Sequence, residues 1–186
     1  MEAGALSPLR AISREAGLIL SGTLAIALIG QLSIPLPFTP VPITLGNFAA
    51  LAVGAVLGSR RGAASALLLA GLAAAGAPVL SGWSSGIGAT FGYVLGYALV
   101  ADLSGRAARL WAATPEKALL RRTLVTFGAM LLASAVIYIP GLIWLKIATG
   151  ASWGMTLGLG LLPFIVGDLI KVMAATALLP LRGRLH

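Results

Sequence analysis

Read from one end to the other, the chain is a succession of long apolar blocks separated by short gaps, apolar on every side rather than along one stripe. A membrane-crossing helix takes roughly 17–25 mostly apolar residues, and six such blocks fit. The first runs from about Ala16 to Ser33, the second from Ile43 to Leu57, the third from Ala63 to between Ala75 and Leu80. The fourth covers Ile87 to Val100, the fifth Leu124 to Leu145 and the sixth Met155 to Leu179. With their connections they use up residues 1–186. The expected fold is therefore all-α, a single polytopic membrane domain of six transmembrane helices in one bundle.

Prolines punctuate this pattern. Pro35, Pro37, Pro40 and Pro42 in IPLPFTPVPIT exclude a regular helix, yet the segment is apolar and uncharged. It predicts a proline-rich extended or re-entrant loop after the first helix, tucked into protein at the membrane face, because non-helical backbone cannot face lipid. Pro78 marks the end of the third block. Pro163, inside the sixth, removes one helical hydrogen bond and predicts a kink near Leu159. The longest polar stretch, Asp102 to Arg122, separates the fourth and fifth blocks.

Charge then orients the bundle. With six spans, both termini and the second–third and fourth–fifth connections share one side. That side holds Arg10, Arg14, Arg60, Arg61, Arg106, Arg109, Lys117, Arg121, Arg122, Arg182 and Arg184, eleven of the thirteen basic residues. The other side has only Lys146, and Lys171 falls within a span. The positive-inside rule makes both termini cytoplasmic in a cell membrane. A five-span arrangement would split the two basic termini.

Composition excludes several classes of function. The chain is 59% hydrophobic and 10% charged, with a mean hydropathy of +1.00, whereas soluble domains carry about 25% charged residues. The net charge of +8 sits in the gaps between blocks without a basic–aromatic patch, so no nucleic acid partner is expected. There is no cysteine, and the sole histidine is His186, so neither a metal site nor a bound cofactor is expected. Phosphate-loop, H-E-x-x-H and G-x-S-x-G motifs are missing, so ATP hydrolysis by the familiar route and enzymatic catalysis are not expected. Glu2, Arg10, Arg14 and Glu15 near the start argue against a removable signal peptide.

The candidate chemistry lies in the few polar residues inside blocks. Asp168 and Lys171, in FIVGDLIK, are spaced i, i+3 on one helix face. A charge at mid-membrane costs about 2.5–3.5 kcal/mol or more, so it persists only when paired or facing a polar cavity. The pair fits an internal ion pair pinning two helices, or a ligand site, which intramembrane charge favours; Gly167 beside it would permit close backbone approach. In the fourth block Gly88, Gly92 and Gly96 form a smooth packing face, and Thr90, Tyr93 and Tyr97 interleave with them. A tyrosine offers a flat apolar face and a hydroxyl, which suits a ring with polar edges. Trp83, with Ser84 and Ser85, lies in the outer loop before that helix, and Trp144 and Trp153 near the same face, where tryptophans commonly serve as interface anchors. Gly17, Ser21 and Ala25 on the first helix are spaced small-xxx-small, a docking face for another membrane helix.

Four strings in order, IPLPFTPVPITL at 34–45, GSRRGAASALL at 58–68, GATFGYVLGY at 88–97 and LPFIVGDLIKV at 162–172, resemble the BioY family, the biotin-specific substrate-binding (S) components of energy-coupling factor importers. The resemblance spans nearly the whole chain. It implies a six-helix bundle that captures biotin from the outer face in a cavity closed by the loop after the first helix. It implies uptake driven through partners, a transmembrane coupling subunit and a pair of cytoplasmic ATPases. It makes Asp168 and Lys171 the leading ligand contacts, Tyr93 next, with Tyr97, Thr90, Trp83 and Phe38 available to the ligand's rings and polar edges. Gly17, Ser21 and Ala25 look like the family's partner-docking stripe. The chain departs from the family at Gly46, where a glutamine is common, at Ala89, where a proline is usual, and at Trp83 or Ser84, where an asparagine is frequent, so the pocket rim is expected to differ. Another vitamin as ligand, or a stand-alone small-molecule facilitator, is the alternative on the same scaffold.

Overall fold

A computed structural model describes residues 3–179, so Arg182, Arg184 and His186 lie outside the described residues. Helix α1 (Ala3–Gly30) leads into a short antiparallel ribbon, β1 (Ser33–Ile34) and β2 (Ile43–Thr44), with Ser33 opposite Thr44 and Ile34 opposite Ile43. Then come α2 (Gly46–Leu57), α3 (Ser59–Ala74), a 3-10 turn at Ser81–Trp83, and α4 (Phe91–Ala113). After a 3-10 turn at Glu116–Ala118, α5 (Leu119–Ala135) and α6 (Tyr138–Thr149) follow; α7 (Trp153–Gly160), a 3-10 turn at Leu162–Phe164 and α8 (Ile165–Ala177) complete the order.

The expected blocks are therefore present, with revised boundaries and two internal breaks. GSRRG is not a loop. Gly58 alone, at φ 87°, turns the chain, and Arg60 and Arg61 already belong to the first turn of α3. Helix α4 begins at Phe91 rather than Ile87, leaving Gly86 (φ 84°) and Gly88 in the preceding loop. It also runs on to Ala113, through sequence that reads as a polar gap, because Ser104, Ala107, Ala108 and Trp111 continue its buried face at helical spacing.

The fifth block is two helices, and the break falls where Pro140 enters the first turn of α6, a place where a missing N–H leaves no bond unmade. The sixth is broken as Pro163 predicts. Proline cannot donate to the carbonyl four residues back, Leu159, so α7 ends at Gly160 and α8 starts at Ile165.

Helices α2 and α4 form the centre. On one side Ile26, Ala49, Leu69 and Phe91 join them to α1 and α3; on the other Leu51, Val100, Met130, Leu145 and Val172 join them to α5, α6 and α8. The outside is apolar too. Stretches Arg10–Gly30, Leu119–Thr149 and Trp153–Ala177 are long and apolar enough to cross a membrane, yet only 22%, 33% and 28% of their apolar windows are buried. Leu20, Leu24, Leu28, Leu132, Ile147, Val166 and Ile170 all face outward. A surface of that kind is solvated by lipid, and the protein is a multi-pass membrane protein.

The two ends of the bundle differ. The ribbon and the loops before α4 and α7 gather at one end. At the other, the Gly58 turn meets charged residues: Arg61 donates from Nε to Glu15 Oε2 at 2.8 Å, and Ser59 and Arg106 both donate to Asp102.

Candidate functional site

Between the ribbon and the helices lies a cavity of about 270 Å³. The ribbon supplies Pro40, Val41, Pro42 and Thr44, α2 supplies Asn47, and α4 supplies Tyr93, Val94 and Tyr97; Thr90 precedes α4 in the wall. Tyr138 comes from α6, Phe164 from the turn after α7, and Asp168 and Lys171 from α8. The expected Asp168, Lys171, Tyr93, Tyr97 and Thr90 thus meet in one wall.

Asp168 and Lys171 are each 8% exposed. Their i, i+3 spacing lets Lys171 Nζ donate to Asp168 Oδ1 at 2.9 Å within the helix, so the ammonium does not stand alone. Tyr138 Oη donates to Asp168 Oδ2 at 2.5 Å from α6. Both carboxyl oxygens are thereby occupied, and the group is held in one rotamer from two helices. A side chain at Gly167 would meet nothing within 4 Å, so the backbone beside the pair stands open.

Tyr93 has a divided role. Its hydroxyl donates to the Gly160 carbonyl at the end of α7, 2.8 Å away, and its ring stands edge-on to Tyr138 with centroids 6.4 Å apart. Gly141 and Gly160 leave room for that ring, since a Cβ on either would collide with Tyr93. Of the glycine repeat, Gly92 packs against Pro140 and Trp144 of α6 and Gly96 against Ile137 just before it, while Gly88 lies outside the helix and accepts from Trp144 Nε1 at 3.0 Å. A Cβ on Gly46 would strike the Tyr97 hydroxyl, so the glycine is what admits Tyr97 to the wall.

The proline-rich loop is anchored rather than free. Thr39 Oγ1 donates to the Leu159 carbonyl at 2.8 Å, the very acceptor that Pro163 leaves unused, and Val41 N donates back to Thr39 Oγ1 at 3.2 Å. At its start, Gln31 Nε2 donates to the Leu80 carbonyl and Gln31 Oε1 accepts from Trp83 N, each at 3.0 Å, while Ser81 Oγ donates to Ser33 Oγ at 2.7 Å. The two loops over the cavity are one hydrogen-bonded cover.

Phe38 and Trp83 stand apart. Each is 59% exposed and neither lines the cavity, because the ribbon and the 3-10 turn point them outward. Gly17 and Ser21 are exposed on the outer face of α1 and Ala25 is half-buried against the α1–α4 core. No group of three His, Cys, Asp or Glu side chains able to hold a metal exists among the described residues. Tyr138, Asn47 and Thr44 are among the cavity residues that escaped the sequence reading. Tyr138 is one aromatic in an apolar run, Asn47 one amide heading an apolar helix, and Thr44 one hydroxyl in the proline segment; only a partner distant in sequence marks them out. Together the wall offers a carboxyl, an ammonium, phenols and an amide against Val94, Phe164 and prolines, a setting for a small molecule with a polar head and an apolar body.

A family model described as the BioY family matches residues 4–185. A biotin transporter BioY of Rhizobium etli is 35% identical over 150 residues, covering 78% of this chain and 79% of that protein. A probable biotin transporter BioY of Pyrococcus horikoshii is 35% identical over 144 residues, 75% of this chain and 78% of that one. Among solved structures, the S-component for biotin from an ECF-type ABC transporter superposes with a TM-score of 0.74 at 26% identity, covering 91% of this chain and 90% of the other.

Proposed function

The chain belongs to the BioY family, and from that premise we propose that it is the membrane-embedded biotin-binding subunit of an importer, a transport protein rather than an enzyme. It captures biotin from the outer side and relies on a transmembrane coupling subunit and cytoplasmic ATPases for uptake. The observation that carries the reading is the cavity built around Asp168 and Lys171, two ionisable side chains 8% exposed in an otherwise apolar bundle. Biotin has a ureido ring with two N–H donors and one carbonyl, an apolar bicycle and a carboxylate tail. Asp168 can accept from an N–H, Lys171 can donate to a carbonyl or carboxylate, and the rings of Tyr93 and Tyr97, with Thr90 beside them, can border the bicycle.

The remaining parts follow the same reading. The charged end at Arg61, Arg106 and Asp102 is cytoplasmic, the cavity end is outer, and the chain crosses six times, with α5–α6 and α7–α8 each serving as one broken span. The exposed small residues Gly17 and Ser21, continued by Ala25, form the docking stripe for the coupling subunit.

Isothermal titration of the detergent-purified protein with biotin tests the core of this. Saturable binding is expected, and Asp168→Asn is expected to weaken it about 10–100-fold, the range for a hydrogen bond to a charged group. Melting temperatures that rise with riboflavin or thiamine and not with biotin would overturn the ligand, and uptake into liposomes by the chain alone would overturn the need for partners.

A further inference from the structure

The cavity has a buried end and a partly open one. Asp168, Lys171 and Phe164 are buried, whereas Pro40 and Ser84, which also line it, are exposed. Among the described residues, Asp168 and Lys171 are the only charged side chains that line it. They already neutralise one another: Lys171 Nζ donates to Asp168 Oδ1 at 2.9 Å, and Tyr138 covers the other oxygen. A carboxylate brought to Lys171 would set two anions against one ammonium. It would leave a net negative charge buried in the bundle, which apolar surroundings penalise heavily. A neutral head with N–H donors and a carbonyl brings no such charge, and it can use both members of the pair without parting them. The open end holds no counter-charge for an anion. Lys146 does not line the cavity; its Nζ lies 3.4 Å from the Ala151 carbonyl oxygen and 5.4 Å from the centroid of the Trp153 ring. The hydroxyls of Ser81 and Ser84 already donate, to Ser33 Oγ and to the Ser81 carbonyl.

We propose that the ligand lies head-inward, its ureido ring on the Asp168–Lys171 pair and its carboxylate in water at the mouth by Ser84. The site therefore takes a wider substrate class: biotin amides, in which that carboxylate is joined to an amine, as well as free biotin. The inference rests on the biotin reading above. It fixes which end of the ligand each charge meets, since Asp168 accepts a ureido N–H and Lys171 donates to the ureido carbonyl. Selectivity then resides in the ring, because a buried polar group that loses its partner is heavily penalised while an exposed charge contributes little.

Titration calorimetry of the detergent-purified protein tests this with biotin, its primary amide, its N-butylamide and its two mono-N-methylated ureido derivatives. Both amides should bind within about tenfold of biotin, since an exposed charge contributes little. At least one N-methylated derivative, its carboxylate intact, should bind about 10–100-fold more weakly than biotin. Asp168→Asn should weaken biotin and the primary amide by the same factor, to within about threefold. A carboxylate seated on Lys171 would instead gain on the amide once the neighbouring anion is gone. Three results overturn the orientation and leave the biotin reading standing: amides weaker than biotin by more than about tenfold, full-strength binding of both N-methylated derivatives, or an Asp168→Asn variant that shifts preference from the amide to biotin. A wild type that does not bind biotin overturns both. Should Asp168→Asn fail to fold, the ligand series on the wild type decides alone.

Discussion

The two ends of the bundle solve opposite problems with the same few residue types. At the Gly58 end, glycines bring α2, α3 and α4 into backbone contact: a Cβ on Gly54 would strike the Ala101 carbonyl, and one on Gly105 would strike Ser59 N. At the ribbon end Gly46, Gly141 and Gly160 admit tyrosines instead of backbone, and the tyrosines keep α4, α6, α7 and α8 apart around a space. A glycine facing a backbone closes a bundle; a glycine facing an aromatic side chain opens one. Charge follows the same division. At the closed end Asp102, Arg106, Glu15 and Arg61 are paired in the open, where the strength of a pair hardly matters. At the open end the Lys171–Asp168 pair is buried, and everything around it must account for it.

Substitutions can break this contrast. Lys171→Met should have the largest effect, because Asp168 would be left buried without its cation; removing one partner of a buried pair costs about 3–5 kcal/mol. Thermal unfolding in detergent measures it, and biotin should no longer protect. Gly54→Ala comes next at about 1–3 kcal/mol, since the Ala101 carbonyl cannot swing aside as a side chain can. The folded fraction should keep its biotin affinity within about twofold, separating the packed end from the binding end. Gly46→Ala should do the reverse, pushing Tyr97 into the cavity and weakening biotin about tenfold, about 1.4 kcal/mol, with little change in melting temperature. Tyr97→Phe in the same chain removes the nearer of the two colliding atoms and should recover part of that loss in calorimetry. Asp102→Asn should be smallest, under ~1 kcal/mol by thermal unfolding and smaller still at high salt.

Much of this was legible in the chain. Apolar blocks announced the helices because lipid demands apolar residues on every face, and Asp168 and Lys171 stood out because the same demand makes them anomalous. What was not legible depends on partners distant in sequence. Nothing local to Tyr138 tells that its hydroxyl meets Asp168 thirty positions on. Phe38 and Trp83 have the right chemistry for a ring ligand, and only the turn geometry carries them away from the cavity. The extension of α4 to Ala113 was hidden because small buried residues there are interspersed with arginines, so average polarity masked the helical period. Pro163 was read correctly as a break, but what the break leaves free could not be foreseen.

That break bears on how long a ligand would stay. The Leu159 carbonyl is available to Thr39 only because Pro163 has no N–H to offer it. In Pro163→Ala the helix can mend, residue 163 reclaims the carbonyl, and the loop over the cavity loses its tether to α7. Stopped-flow release of biotin should then quicken more than capture does, which would make a flaw in the last span the clock for a ligand's stay.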